Sequence, residues 1–145
     1  MEQLREDQPP SPARERAILP PCTAAEARER VTRLLELHLG TTAGRVADAT
    51  VTVADALLVT SELATNAIRH GKGITAFQAR IHRDCLVLTI ADGSDEMPRR
   101  CEPSLTGAPA LGGYGWALAC RLASRVTVTR HSGGGKSVTA HLPLM

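Results

Sequence analysis

Apolar and polar residues recur with two different periods along the chain, and the change of period separates helices from strands. In two stretches between residues 23 and 71, apolar side chains return every three or four positions, which is typical of helices. Beyond residue 71 apolar and polar side chains alternate, which is typical of strands with one solvated face. The pattern predicts helices over 23–38, 55–70 and 116–124, strands over 77–82, 85–91, 125–130 and 136–142, and a short edge strand over 17–19.

Capping residues indicate where the first two helices begin and end. Thr23 and Glu26 form a capping box at the start of the first helix, and Gly40 closes it. Asp55 lies near the start of the second helix, and Gly71 directly follows its end. We expect the first helix to bury one stripe and the second, apolar on more than one side, to be largely buried. The apolar residues concerned are Val31, Leu34, Leu35 and Leu37 in the first helix and Leu57, Leu58, Val59, Ala64 and Ile68 in the second.

The order of these elements predicts an α+β domain, a two-layer sandwich in which three helices cover one face of a mixed, mostly antiparallel sheet. Residues 85–91 are almost uniformly apolar, so this strand is expected in the centre of the sheet. We place the domain over 17–145, after a charged, proline-rich lead-in over 1–16 that is expected to be flexible. The stretch over 93–112 is long for a loop in a compact domain and rich in proline and glycine, which favours a lid.

Composition narrows the function classes. The 145 residues carry a formal charge of +2, and only 2% are aromatic, so neither the basic footprint nor the stacking platforms of a nucleic-acid binder are expected. The four cysteines show no C-x-x-C pair, which argues against a zinc site or a redox motif. We find neither a membrane-spanning run nor a signal peptide in the sequence, and we therefore expect a cytoplasmic protein.

The strongest chemical signal is an acid and an amide in the second helix. Glu62 and Asn66 are four residues apart and therefore share one face. Polar groups in a largely buried helix are costly unless something binds them. A carboxylate and a neutral oxygen ligand suit a hydrated magnesium ion and an activated hydroxyl or water. The alternative is a hydrogen-bonded pair that only helps the helix to pack.

Three further segments have both a functional and a plain structural interpretation. Asp92 ends the central strand, where its carboxylate could accept from a base amino group or simply cap an Asp-Gly turn. The run Gly112-Gly-Tyr-Gly115 opens the third helix, where backbone N–H groups could bind phosphate or form a hinge. The run Gly133-Gly-Gly135 could be a loose hairpin turn, with Lys136 an exposed strand residue.

Taken together in this order, the segments resemble the motifs of the GHKL (Bergerat-fold, histidine-kinase-like) ATPase superfamily. The resemblance covers about residues 17–142 and is strongest to the stand-alone branch of anti-sigma-factor serine/threonine kinases of the SpoIIAB and RsbW type. The matching motifs are Ser61–Gly71 for the N box, Leu88–Ser94 for the G1 box, Gly112–Leu118 for the G2 box and Gly135–Pro143 for the last strand.

The resemblance implies an ATP site that uses Mg²⁺. It assigns Asn66 to the metal ion, Glu62 to the role of general base, and Asp92 to the adenine amino group, which Ser137 would assist through a bridging water. The other residues that it implies in nucleotide binding are Gly93 and Ser94 of the G1 box and Gly113 and Gly115 of the G2 box.

The implied function is that of an ATP-binding regulatory protein, a serine/threonine kinase that phosphorylates an antagonist protein and controls a sigma factor. The implied partners are ATP, that antagonist and the sigma factor, with a second copy of the chain as a further candidate. Ser94 and Glu96 replace two glycines of the usual G1 pattern, and Tyr114 stands where an arginine or lysine is frequent. These departures favour an alternative, a non-catalytic binding module whose conformation responds to ATP. A plain sandwich without nucleotide is the third hypothesis.

Overall fold

The computed structural model describes residues 19–40, 46–97 and 113–144, which form three helices and four strands. In chain order the elements are α1 (Ala24–Gly40), α2 (Val46–His70), β1 (Ile74–His82), β2 (Cys85–Asp92), α3 (Gly113–Leu122), β3 (Arg125–Arg130) and β4 (Lys136–Pro143). The predicted lead-in over 1–16, residues 17–18 of the predicted edge strand over 17–19 and most of the predicted lid, 98–112, lie outside the described residues, and Leu19 is not in a strand. No helix within the described ranges has the length and apolar character needed to cross a membrane.

The four strands form one open sheet in the order β1-β2-β4-β3, and each neighbouring pair is antiparallel. The central position of β2 was predicted from its apolar sequence, and Leu86, Leu88 and Ile90 are almost completely buried. The predicted α+β sandwich is therefore confirmed, although the described strands show no parallel pairing that would make the sheet mixed.

All three helices pack on one face of the sheet. Alternation along β2 and β4 sends every second side chain toward the helices, because successive strand residues point to opposite faces. The resulting core joins side chains of every helix to the two inner strands: Ala27, Val31 and Leu35 of α1, Ala56, Val59, Leu63, Ala64 and Ala67 of α2, Ala119 of α3, and Leu86, Leu88, Ile90, Val138, Ala140 and Leu142 of β2 and β4. Burial of these apolar side chains supplies the main stabilisation of the fold.

Two helix starts differ from the prediction. Helix α2 begins at Val46, nine residues before Asp55, so part of the stretch that was interpreted as a Gly/Thr/Ala loop is helical. β-branched residues lower helix propensity by only a few tenths of a kcal/mol each, roughly, and tertiary packing overrides that preference. Helix α3 covers Gly113–Leu122 rather than 116–124, so Gly115 lies inside its first turn.

Three apolar side chains that were predicted to be buried are exposed. Leu37 of α1 is 74% exposed, while Val31 and Leu35 of the same helix are buried as expected. Leu58 and Ile68 of α2 are 40% and 36% exposed, so this helix keeps one solvated side. The stripe of a helix that packs against the core is narrow, and apolar residues beside that stripe remain exposed to solvent.

Candidate functional site

The acid–amide pair, Glu62 and Asn66, lies on α2 with both side chains half-buried. Within residues 19–40, 46–97 and 113–144 neither side chain has a hydrogen-bond or ion-pair partner. Neighbouring buried positions of the same helix, Leu63 and Ala67, fix it against the core. Because packing orders this helix while its acid and amide stay unpaired by the described protein groups, the pair is available to a ligand.

The first turn of α3 lies directly against this pair. A Cβ atom added to Gly115 would collide with Oε2 of Glu62 and lie 3.0 Å from its Cδ. The Glu62 carboxylate therefore occupies the space that a side chain at Gly115 would fill, and any larger residue there would have to displace it. Helix N-termini favour negative charge because their first N–H groups are unpaired. The same N–H groups are suited to binding phosphate oxygens.

The end of α2 is joined to the end of β2 through Gly71. The N–H groups of Gly71 and Gly73 both donate to Ala67 O, at 3.0 and 2.9 Å, and this terminates the helix. The carbonyl of Gly71 accepts from Gly93 N at 2.8 Å. A Cβ at Gly71 would lie 2.5 Å from Cγ and Oδ2 of Asp92, so this position has no space for any other residue. Along the helix axis, Asn66 and Glu62 precede Gly71 by about 7.5 Å and about 13.5 Å.

Asp92, Ser94 and Lys136 form a buried cluster at this strand end, which we call the Asp92 corner. Asp92 and Lys136 are 6% and 5% exposed, and Nζ of Lys136 lies 2.9 Å from Oδ1 of Asp92. The same oxygen accepts from Ser94 N at 2.9 Å, and Ser94 O lies 3.4 Å from Nζ. Oδ2 takes part in none of the hydrogen bonds among the described residues. Every fully buried side-chain N or O atom there has a partner, so Oδ2 retains solvent contact and can accept from a ligand.

The hairpin glycine before β4, Gly135, packs against the Asp92 corner and does not belong to a loose turn. Gly135 has a φ of +86°, and a Cβ there would collide with Asp92 O. Its N–H donates to Oδ1 of Asp95 at 2.8 Å, and its carbonyl accepts from His131 N at 2.9 Å. The hairpin is thereby fixed against the segment that follows β2.

Lys136, not Ser137, is the β4 residue that meets Asp92. The register pairs Asp92 with Lys136 and Ala91 with Ser137, and adjacent residues of a strand face opposite sides. Ser137 therefore lies on the outer face of the sheet, where its Oγ is 2.6 Å from Nε2 of His131. The structure does not bring the Ser137 hydroxyl together with the Asp92 carboxylate, and the interpretation of Lys136 as an exposed residue is wrong.

A signal for Lys136 was present in the sequence. Val138, Ala140 and Leu142 are apolar at every second position, and all three are buried in the core. Counting back two residues from Val138 places Lys136 on the same face. The plain interpretation of Lys136 as an exposed strand residue matches the usual environment of lysine, which is rarely buried unless it is paired.

The remaining predicted site residues have different surroundings. Ser94 closes a turn, with its Oγ accepting from Glu96 N at 3.1 Å, so its backbone and its hydroxyl both support the loop after β2. A Cβ at Gly93 would meet nothing closer than 3.7 Å, so glycine is not required there by packing. Gly113 is the first residue of α3. The nucleotide-binding roles of these residues stay predictions.

The described residues contain no group of three or more His, Cys, Asp or Glu side chains that could hold a metal ion. A site for magnesium does not require one, because this ion is commonly held by one or two protein oxygens together with substrate phosphates and water. Among the cysteines, Cys22, Cys85 and Cys120 are free thiols. Partial burial raises the pKa of the Cys120 thiol above its ordinary value, so the reactive thiolate is scarcer there.

Comparison with known proteins identifies the family. A family model described as the histidine kinase-like ATPase domain matches residues 21–142, from before α1 to the penultimate residue of β4. The chain therefore belongs to this family, as the GHKL motifs predicted, and membership supports an ATP-binding regulatory function. It does not specify a kinase branch, a phosphoryl acceptor or a protein partner. No curated protein matches the chain.

Proposed function

We propose that the chain binds ATP with Mg²⁺ between α2, the end of β2 and the first turn of α3, and acts as a serine/threonine protein kinase of the anti-sigma-factor type. The observation that supports this most directly is the contact of Gly71 with Asp92, because it joins the helix that carries the acid–amide pair to the strand that carries the buried acid. Membership of the histidine kinase-like ATPase family supports ATP as the nucleotide.

The donor set fits this ligand. Oδ2 of Asp92 is a carboxylate oxygen with solvent contact and suits the amino group of adenine. Asn66 offers an amide oxygen to Mg²⁺, and the helix start at Gly115 offers N–H groups to phosphate. The distance of about 13.5 Å along α2 from Gly71 to Glu62 is one that an extended nucleoside triphosphate can span.

Glu62 has the chemistry of the proton acceptor. When bound, ATP would supply the γ-phosphoryl group and Mg²⁺ would offset the negative charge on the phosphate oxygens. Glu62 accepts the proton of a serine or threonine hydroxyl as that oxygen forms its bond to the γ-phosphorus, and ADP departs with the electron pair of the broken bond. The close approach of Glu62 to Gly115 puts its carboxylate beside the helix start to which the phosphates are assigned. The proposed substrate is an antagonist protein, whose phosphorylation would control a sigma factor.

Transfer of label from [γ-³²P]ATP tests this function. The chain is incubated with Mg-ATP and an antagonist protein encoded beside it, and label on a serine or threonine of that protein is the expected result. Glu62→Gln should lose at least about 100-fold in transfer rate while changing ATP affinity less than about threefold. ATP binding without any transfer would contradict the kinase and favour the ATP-responsive binding module. Failure to bind ATP at all would overturn both.

A further inference from the structure

The buried ammonium of Lys136 has no role in the function proposed above, and it lies where that function places the base. A lysine that is 5% exposed is uncommon, and its removal from water must be offset by specific partners. Its partners are the Oδ1 atom of Asp92 at 2.9 Å and the Ser94 carbonyl at 3.4 Å, the second of which is at the weak end of hydrogen bonding.

The ammonium and the carboxylate form a matched donor and acceptor. An ammonium has three N–H donors, and the described contacts use two of them. The carboxylate keeps Oδ2 for a ligand. The two groups leave the same face of the sheet from directly paired residues at the ends of β2 and β4. A ligand edge that meets one of these groups therefore lies within reach of the other.

Adenine presents the complementary pair of atoms on its Watson–Crick edge. Its 6-amino group is a donor, and the adjacent ring N1 is an acceptor. Guanine reverses both positions, with an acceptor at O6 and a donor at N1. A carboxylate beside an ammonium is therefore suited to read two neighbouring atoms of adenine, where a carboxylate alone reads one.

We propose that Lys136 is a second base-contacting residue, whose ammonium donates to ring N1 of adenine while Asp92 accepts from the 6-amino group. The proposal rests on the function proposed above, and it adds a direct contact that determines base specificity. The competing role for Lys136 is structural, in which the ammonium only neutralises Asp92 and never contacts the base.

Nucleotide analogues separate a base contact from a structural role. Calorimetric titrations compare ATP with 1-deaza-ATP, which lacks the N1 acceptor, and with 7-deaza-ATP, which loses a ring nitrogen elsewhere on the purine. We expect the wild-type chain to bind 1-deaza-ATP about 10- to 100-fold more weakly than ATP, the range for a hydrogen bond to a charged group. 7-deaza-ATP should bind within about threefold of ATP.

Substitution of the lysine completes the thermodynamic cycle. Lys136→Met should bind ATP more weakly and show no further loss with 1-deaza-ATP, because the donor is already absent. Lys72→Met is the matched control, since it removes the chain's other lysine, which is exposed and follows Gly71. The Lys72→Met variant should lose as much affinity for 1-deaza-ATP, relative to ATP, as the wild-type chain does. Lys136→Gln keeps an N–H donor for Asp92 but removes the ammonium, on a side chain one atom shorter. If the Met variant fails to fold, the Gln variant replaces it and should show a 1-deaza-ATP penalty well below that of the wild-type chain.

The outcomes distinguish this inference from the function on which it rests. Equal affinity of the wild-type chain for ATP and 1-deaza-ATP overturns the Lys136 contact and leaves ATP binding intact. A full penalty that persists in both Lys136 variants assigns the ammonium a structural role and also overturns the contact. Absence of ATP binding by the wild-type chain overturns the proposed function together with this inference.

Discussion

The two halves of the candidate site are built in opposite ways. The acid–amide pair on α2 is half-buried and has no partner among the described residues, whereas the Asp92 corner is almost fully buried and internally hydrogen-bonded. An unpaired polar group near an apolar core is costly, and one that persists is commonly a ligand site. A buried group that has partners also contributes to the fold. The comparison therefore predicts that the Asp92 corner affects stability and ligand affinity together, and the acid–amide pair affects ligand affinity alone.

Removal of the buried cation should have the largest effect on stability. Lys136→Met leaves the buried Asp92 carboxylate without its counter-ion, and loss of one partner of a buried pair costs about 3 to 5 kcal/mol. The matched control is Arg33→Met, which removes the cation of an exposed pair with Glu29 and should cost less than about 0.5 kcal/mol. Urea unfolding followed by circular dichroism measures both values. Equal losses of unfolding free energy in the two variants would mean that the buried Asp92 carboxylate does not need Lys136 as its counter-ion.

A methyl group at the junction between the two halves should have an intermediate effect. Gly71→Ala places the new Cβ 2.5 Å from the Asp92 carboxylate and 2.6 Å from the Asp92 Cβ. Rotation of the Asp92 side chain therefore cannot relieve the contact. Overpacking of this kind costs about 1 to 3 kcal/mol. Gly93→Ala, whose Cβ would have room, should stay within about 0.5 kcal/mol of wild type. If both variants unfold at the wild-type midpoint, α2 and β2 do not meet at Gly71 as described.

The acid–amide pair should have the smallest effect on stability. Asn66→Ala and Glu62→Ala break no hydrogen bond with the described residues, so each should change the free energy of unfolding by less than about 0.5 kcal/mol. The same urea unfolding experiment provides the values. A loss above about 1.5 kcal/mol in either variant would show that these side chains support the fold, as the structural interpretation of the pair proposes.

The two halves also differ in how far the sequence predicted them. Glu62 and Asn66 could be placed on one helix face because helical spacing needs only local sequence. The strands, the central place of β2 and the sandwich followed equally from local periods. Lys136 was misjudged because its burial depends on a register between strands 44 residues apart. Ser137 was assigned to the base by the family resemblance, and the register instead pairs its neighbour Lys136 with Asp92, because a one-residue difference exchanges the two faces of a strand.

Close approach was the other feature that local patterns could not supply. Gly71 and Gly115 were predicted as a helix stop and as a phosphate-loop residue, yet each also leaves room for a carboxylate of a distant element. The start of α2 was placed too late for a different reason, because the stretch before Asp55 was interpreted as a Gly/Thr/Ala loop and helix propensity is only a weak local signal.

The central claim is that one nucleotide contacts both halves of the site, and paired titrations with adenosine and Mg-ATP test it most directly. Asp92→Asn should weaken both ligands by at least about tenfold, because its carboxylate is assigned to the base that they share. Asn66→Ala should weaken Mg-ATP by at least about tenfold and leave adenosine within about threefold, because its amide is assigned to the metal and the phosphates. Equal effects of Asn66→Ala on both ligands, or undiminished Mg-ATP affinity in either variant, would contradict the account.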